Sequence, residues 1–195
     1  MNVTEENQLK DRIVSKAVQS VKRDRKVDRV SFLAIANELN VDIAEVTKYY
    51  KSIEDVFLHQ QKKSWKLTYR KLDKSLKSAS TVGDFKSVFD NFFEQFVSDL
   101  SSDADLHLEV CNFLPECLKF REKNKKKLAR KLKLIIKKGW PGKNLNVLDR
   151  QTDLCVLCFY GFVDHIVHIP KSERSKILKD FRNMLNLHLQ DRLFF

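Results

Sequence analysis

With only 4 Gly and 3 Pro in 195 residues, turn-forming residues fall far below the roughly 12% of an average globular protein, which points to an all-α chain. A 43% hydrophobic fraction suffices to bury a core at this length and excludes wholesale disorder. The net charge of +11 points to a polyanionic partner, and the longest uncharged apolar run, residues 154–163, is about half of what a membrane-spanning helix needs.

Thr4 with Glu5 and Glu6 opens a first helix, whose Leu9, Ile13, Val14, Ala17, Val18 and Val21 recur at helical spacing before a charged stretch at 22–26. Ser31 caps a short helix, Phe32 to Leu39. Asn40 and Val41 turn the chain, and Asp42 with Glu45 forms a capping box that opens Ile43 to Tyr50. Ser52 with Asp55 repeats that spacing and starts a long helix, Ile53 to about Ser78, which Thr81 and Gly83 break. A phenylalanine-rich stripe marks a helix from Asp84 to Leu100. The next runs from Asp103 toward Phe120, with Pro115 expected to bend or interrupt it. A basic helix follows, about Arg121 to Lys138, ending at the turn 139–142. Val147 to His168 and, after Pro170 with Ser172 as cap, Glu173 to about Leu193 complete about nine helices.

Charge is uneven along the chain. Residues 1–60 carry ten basic and ten acidic side chains, 61–79 seven against one, 80–118 one against eight, and 119–143 twelve against Glu122 alone. The block from Lys119 to Lys143 has two readings. Leu128, Leu132, Ile135 and Ile136 make one apolar stripe, so its lysines can be the solvated face of a bundle helix, or a surface for nucleic acid, acidic lipid or an acidic partner.

Cys111, Cys117, Cys155 and Cys158 lie in apolar surroundings without the dense spacing of a disulfide scaffold. Cys155 and Cys158 form a CxxC followed by His165 and His168. On one helix Cys155 and His165 would stand about 15 Å apart, too far to share an ion, so buried thiols and no metal are expected. The N-terminus lacks a secretory signal, and a cytoplasmic location is expected. His59, His107, His165, His168 and His188 are scattered, and neither a nucleophile motif nor a glycine-rich phosphate loop is present. No catalysis and no cofactor are expected.

The most informative stretch is 31–50, two short helices about three residues apart, the spacing of a helix-turn-helix. Ile35, Ala36, Leu39, Val41, Val46 and Tyr50 would supply its internal contacts, leaving Ile43, Ala44, Glu45, Thr47, Lys48 and Tyr49 outward. With its surroundings, Arg12 to Leu58, the stretch resembles the N-terminal domain of the TetR family of bacterial transcriptional regulators. The match is carried by Arg12, Ile13 and Ala17; by Ser31, Ile35 and Ala36; by Val41 in the turn; by Tyr50 at the family's usual Phe; and by Ser52, Glu54 and Val56. Thr47 and Ile53 stand where the family has a Tyr and a Lys that contact phosphates, and its usual Gly after the first helix falls in the charged segment Arg25 to Arg29.

The resemblance implies a helix-turn-helix domain over 1–52, a connecting helix over 53–78, and an effector-binding and dimerisation domain over 79–195. Double-stranded DNA would be met by Ile43, Ala44, Glu45, Thr47, Lys48, Tyr49 and Lys51, with Arg29 and Ser31 near the backbone. Glu45 has two readings: it can accept from a cytosine or close the capping box on Asp42. A homodimer is implied through the last two helices, on Cys155, Phe159, Phe162, Ile166, Ile177, Leu178, Phe181, Met184, Leu185 and Leu189. An apolar or aromatic effector would be walled by Trp65, Tyr69, Phe89, Phe92, Phe93, Phe96, Cys111, Phe113, Phe159 and Tyr160, oriented by the Tyr69 or Tyr160 hydroxyl, with Pro115 leaving space and backbone groups for it. The same phenylalanine stripe also reads as plain core packing.

Overall fold

The computed structural model describes residues 3–139, 145–166 and 168–191. Among them the fold is all-α, in eight helices: α1 (Val3–Asp24), α2 (Phe32–Leu39), α3 (Ile43–Thr47), α4 (Ile53–Ser78), α5 (Val82–Phe113), α6 (Pro115–Gly139), α7 (Leu145–Ile166) and α8 (Lys171–Asp191). The turn expected at 139–142 lies largely outside the described residues.

Two helices run differently from the sequence reading. No break occurs between Leu100 and Asp103, because that stretch holds no Gly or Pro and its serines cost a helix only about 0.5 kcal/mol each. Pro115 is the punctuation instead. It ends α5 and stands first in α6, where its missing amide costs nothing. Two helices therefore cover the span in which three were expected. The start of α5 is a reciprocal capping box: the Asp84 amide donates to Thr81 Oγ1 at 3.1 Å, and the Thr81 amide donates back to Asp84 at 2.8 Å. The Ser80 amide, donating to the same carboxylate at 2.9 Å, and the Thr81 amide hold the Asp84 carboxyl at about 2, below the usual carboxylate range.

The chain divides into two compact units, Met1–Leu67 with Asp105–Glu122, and Thr68–Ala104 with Lys123–Phe195. The division passes through α4, not at either of its ends, and residues 105–122 join the N-terminal helices.

In the first unit, Leu9, Ile13, Ala17 and Val21 of α1 face a core shared with Ile35, Leu39, Val46, Val56, Phe57, Leu106, Val110 and Cys117. An Arg12 guanidinium nitrogen donates to the Leu39 carbonyl at 3.3 Å, tying α1 to the end of α2. Two carboxylates distant in sequence hold backbone amides: Glu109 accepts from Val27 at 3.1 Å, and Glu54 accepts from Glu116 in the first turn of α6 at 2.6 Å.

α1 ends on Arg25, which has φ 57°, the left-handed conformation in which glycine avoids a steric penalty. Arg25→Gly is therefore expected to raise the unfolding free energy by about 1 kcal/mol. Urea titration of the two proteins checks this, and an unchanged or lower midpoint would refute it.

In the second unit, Tyr69 and Leu72 of α4 and Phe85, Val88, Phe89 and Phe93 of α5 are buried, as are Leu128, Leu132, Ile135 and Ile136 of α6. α7 adds Cys155, Val156, Phe159, Tyr160 and Ile166, and α8 adds Leu185. Arg182 on α8 pairs with Asp90 and Glu94 on α5. No helix among the described residues is long and apolar enough to cross a membrane.

Candidate nucleic-acid interface

The helix-turn-helix is built by local hydrogen bonds that the sequence specifies. Ser31 Oγ accepts from the Ala34 amide at 3.2 Å and starts α2. α2 ends with Asn40 at φ 54°, its amide donating to the Asn37 carbonyl and that of Val41 to the Ala36 carbonyl. This is the Schellman pattern, with asparagine in the left-handed position it tolerates better than most residues. Asp42 then accepts from the Ala44 amide at 2.7 Å and opens α3.

Ile35, Ala36, Leu39, Val46 and Tyr50 are buried and Val41 packs against them, closing α2 on α3 as the spacing implies. Ile43, Ala44, Glu45, Thr47 and Lys48 are exposed. Arg29, Ser31 and Lys51 are exposed as well, while the Lys51 amide is spent on Asp55.

Three features of this face depart from expectation. α3 ends at Thr47 instead of reaching Tyr50, its last turn closed more loosely by the Tyr49 and Tyr50 amides on the Val46 carbonyl. Thr47 turns its hydroxyl back onto the Ile43 and Ala44 carbonyls at 3.1 and 3.3 Å, so its proton is engaged within the helix. Tyr49 is not an outward polar contact. Its hydroxyl is buried, its ring packs against the core, and the Lys10 and Lys48 ammonium groups lie 4.9 and 5.4 Å from the ring centroid. Lys48 also lies 3.8 Å from Glu6. Neither Lys10 nor Glu6 is marked by the helix-turn-helix spacing, because both reach the face from α1.

Tyr50 stacks edge-on against His59 with centroids 5.7 Å apart, and burial pushes its hydroxyl up to about 12. Burial, joined by the nearby Lys63 charge, lowers the His59 imidazole.

The residues proposed as effector walls fall in both units. Trp65, Cys111 and Phe113 belong to the first unit, and Tyr69, Phe89, Phe92, Phe93, Phe159 and Tyr160 to the second. Phe113 is 61% exposed, hence no inner wall, and Cys111 is buried with Gln61 Nε2 3.6 Å from its sulfur. The Tyr69 hydroxyl is buried and its proton is engaged on the Asn124 carbonyl at 3.2 Å, so it has no proton left to donate to a ligand. The backbone start that Pro115 was expected to leave open is capped by Glu54. Phe93 packs edge-on to Phe159 and stacks on Phe181, which is the packing alternative. The Phe96 side chain lies outside the described residues.

On α7 and α8, Cys155, Phe159, Ile166 and Leu185 are buried within their own unit and so unavailable to a second copy. Phe162 and Phe181 stack on each other at 4.1 Å, and Ile177 and Leu178 are half-buried. Met184 is the member of that set that stands exposed, and the Leu189 side chain lies outside the described residues. The open apolar positions are instead Leu154, Leu157 and Leu187, with Leu157 at 70% exposure. Gly161 follows Leu157 one turn later, and a Cβ there would meet nothing within 4 Å. Gly161→Ala is thus expected to stabilise a single copy by about 1 kcal/mol through helix propensity, read as a rise in Tm at low protein concentration. A fall would show that the position is covered.

Cys111 and Cys117 lie in the first unit and Cys155 and Cys158 in the second, all as free thiols. Burial pushes Cys117 up to about 12 and Cys155 up to about 11, which opposes thiolate chemistry.

No protein-family model matches this sequence, and no curated protein matches it either.

Proposed function

We propose that this chain is a TetR-like DNA-binding transcriptional regulator, with α3 presented to the major groove of an operator. The observation that carries the reading is the closure of α2 on α3 through Ile35, Ala36, Leu39, Val46 and Tyr50, with the exposed side chains of α3 on the opposite side. The contact set is Ile43, Ala44, Glu45 and Lys48, flanked by Ser31, Arg29 and Lys51. Selection of bound fragments from the source genome tests it: a recurrent sequence is expected, lost in the Ala44→Glu, Lys48→Glu double variant, whose two positions are exposed and whose fold is checked by its melting curve. Equal recovery of that sequence by the variant would refute the reading.

Operators read by such motifs consist of two half-sites about one helical turn or a multiple apart, so the protein acts as a homodimer. The surface that supports this is Leu154, Leu157 and Gly161 of α7 with Met184 and Leu187 of α8, all exposed, whereas Cys155, Phe159, Ile166 and Leu185 are buried. Leu157→Glu is expected to give a monomer by light scattering, and a monomeric parent protein at micromolar concentration would remove the dimer. Release by an apolar effector would use Phe89, Phe92, Phe93, Phe159 and Tyr160, and a panel of apolar compounds that leaves Tm unchanged would exclude it.

A second reading, an interaction protein of the same fold that meets an acidic partner through its basic helix, is favoured by one observation. The unit holding the helix-turn-helix has 15 basic and 14 acidic residues, while the other has 22 against 12.

A further inference from the structure

Residues 68–78 and 123–139, the larger parts of the two basic blocks, meet in the second unit. The Tyr69 hydroxyl of α4 donates to the Asn124 carbonyl of α6, Lys131 pairs with Asp73, and Lys127 lies 4.2 Å from the Tyr69 ring centroid. These contacts set α4 beside α6 along a shared seam. On the α4 side stand Arg70, Lys74 and Lys77, at i, i+4 and i+7; on the α6 side stand Lys123, Lys127 and Arg130, at the same spacing. All six are exposed, and apart from Lys127 none makes an ion pair or ring contact with a described residue. Residues 68–78 and 123–139 together carry 13 basic side chains against the single carboxylate of Asp73, which Lys131 neutralises.

We propose that this two-row face is a sequence-independent binding surface for the phosphate backbone of a nucleic-acid duplex, separate from the helix-turn-helix. Three arguments select that occupant. The apolar side of α6, Leu128, Leu132, Ile135 and Ile136, is buried in its own unit, and of the large apolar residues in 123–139 only Leu134 is exposed, too little for a membrane-bound helix to enter a lipid surface. Protein interfaces exclude lysine from their centre and rely on aromatic anchors, whereas here the ring in the seam, Tyr69, is buried. A duplex carries a charge about every 1.7 Å, and each row runs about 10 Å along its helix, so dense phosphates can meet all six cations. Such contacts hold and position without reading sequence. The inference does not depend on α3 recognising an operator.

The test uses the full chain and a duplex of random sequence, with affinity followed by fluorescence anisotropy across a salt series. In the parent protein affinity should fall steeply with salt. Neutralising four cations, Arg70→Gln, Lys74→Gln, Lys123→Gln and Arg130→Gln, should reduce the log–log salt slope by about 3.6 and the low-salt affinity by about tenfold or more. The Arg70→Lys, Arg130→Lys variant, which keeps every charge, should bind as the parent does, and matched melting curves establish that the variants are folded. The Ala44→Glu, Lys48→Glu variant should keep most of the slope, so loss of operator selection and loss of this face give different patterns. An unchanged slope in the fourfold variant overturns the proposal. So does binding to phosphatidylserine vesicles or to an acidic peptide that needs these four cations while duplex binding does not.

Discussion

Truncating Phe57 to alanine is expected to destabilise the unit carrying the helix-turn-helix by about 3–5 kcal/mol, the largest effect of any single substitution considered. The side chain is fully buried in the cluster that joins Ile13 of α1, Ile35 of α2, Val46 of α3 and Val110 of α5. Its removal withdraws aromatic area from water-free packing and leaves a cavity lined by helices from four parts of the chain. Because whole domains are stable by only about 5–15 kcal/mol, much of the margin would go. A urea titration followed by far-UV circular dichroism should show the midpoint falling with little change in slope. A loss below about 1 kcal/mol would mean that the site collapses and refills, and that the cluster is not close-packed around Phe57.

The features visible in the sequence are those set within four or five residues. Ser31, Asp42 and Ser52 each accept a backbone amide two or three residues on, at 3.2, 2.7 and 3.1 Å, as their positions before apolar periodic runs predict. The inside and outside of α2 and α3 follow from helical spacing for the same reason. What could not be read depends on contacts across the chain. Glu109 and Glu54 look like ordinary solvated carboxylates until Val27 and Glu116 are placed beside them. Tyr49 is one residue from Tyr50 and equally polar at its tip, and the approach of Lys10 from α1 is part of what distinguishes a packed ring from a groove contact. Cys155, Phe159, Phe162 and Ile166 recur at helical spacing along α7. Periodicity finds the apolar face of a helix, and on α7 that face is consumed by the fold, leaving Leu154 and Leu157 on the other side.

Removing the Glu54 carboxylate is the second large effect expected, about 2 kcal/mol for Glu54→Ala. Pro115 begins α6, so the start of this 25-residue helix has a proline where one amide would be, and the Glu116 amide is the first that needs an acceptor. Glu54, half-buried on α4, supplies it at 2.6 Å, and its negative charge also faces the positive end of the helix dipole. Cys117, fully buried one residue later, fixes that turn against the core, so the amide stays in place when its acceptor is lost and exchanges a charged acceptor for water at this exposed position. Glu54→Gln keeps an oxygen acceptor and loses the charge, so it should cost about half as much as Glu54→Ala. The ordering parent, glutamine, alanine in urea midpoints checks the capping role. Equal stability of the alanine variant and the parent would show that the amide finds another partner and that the junction at Pro115 is held by packing alone.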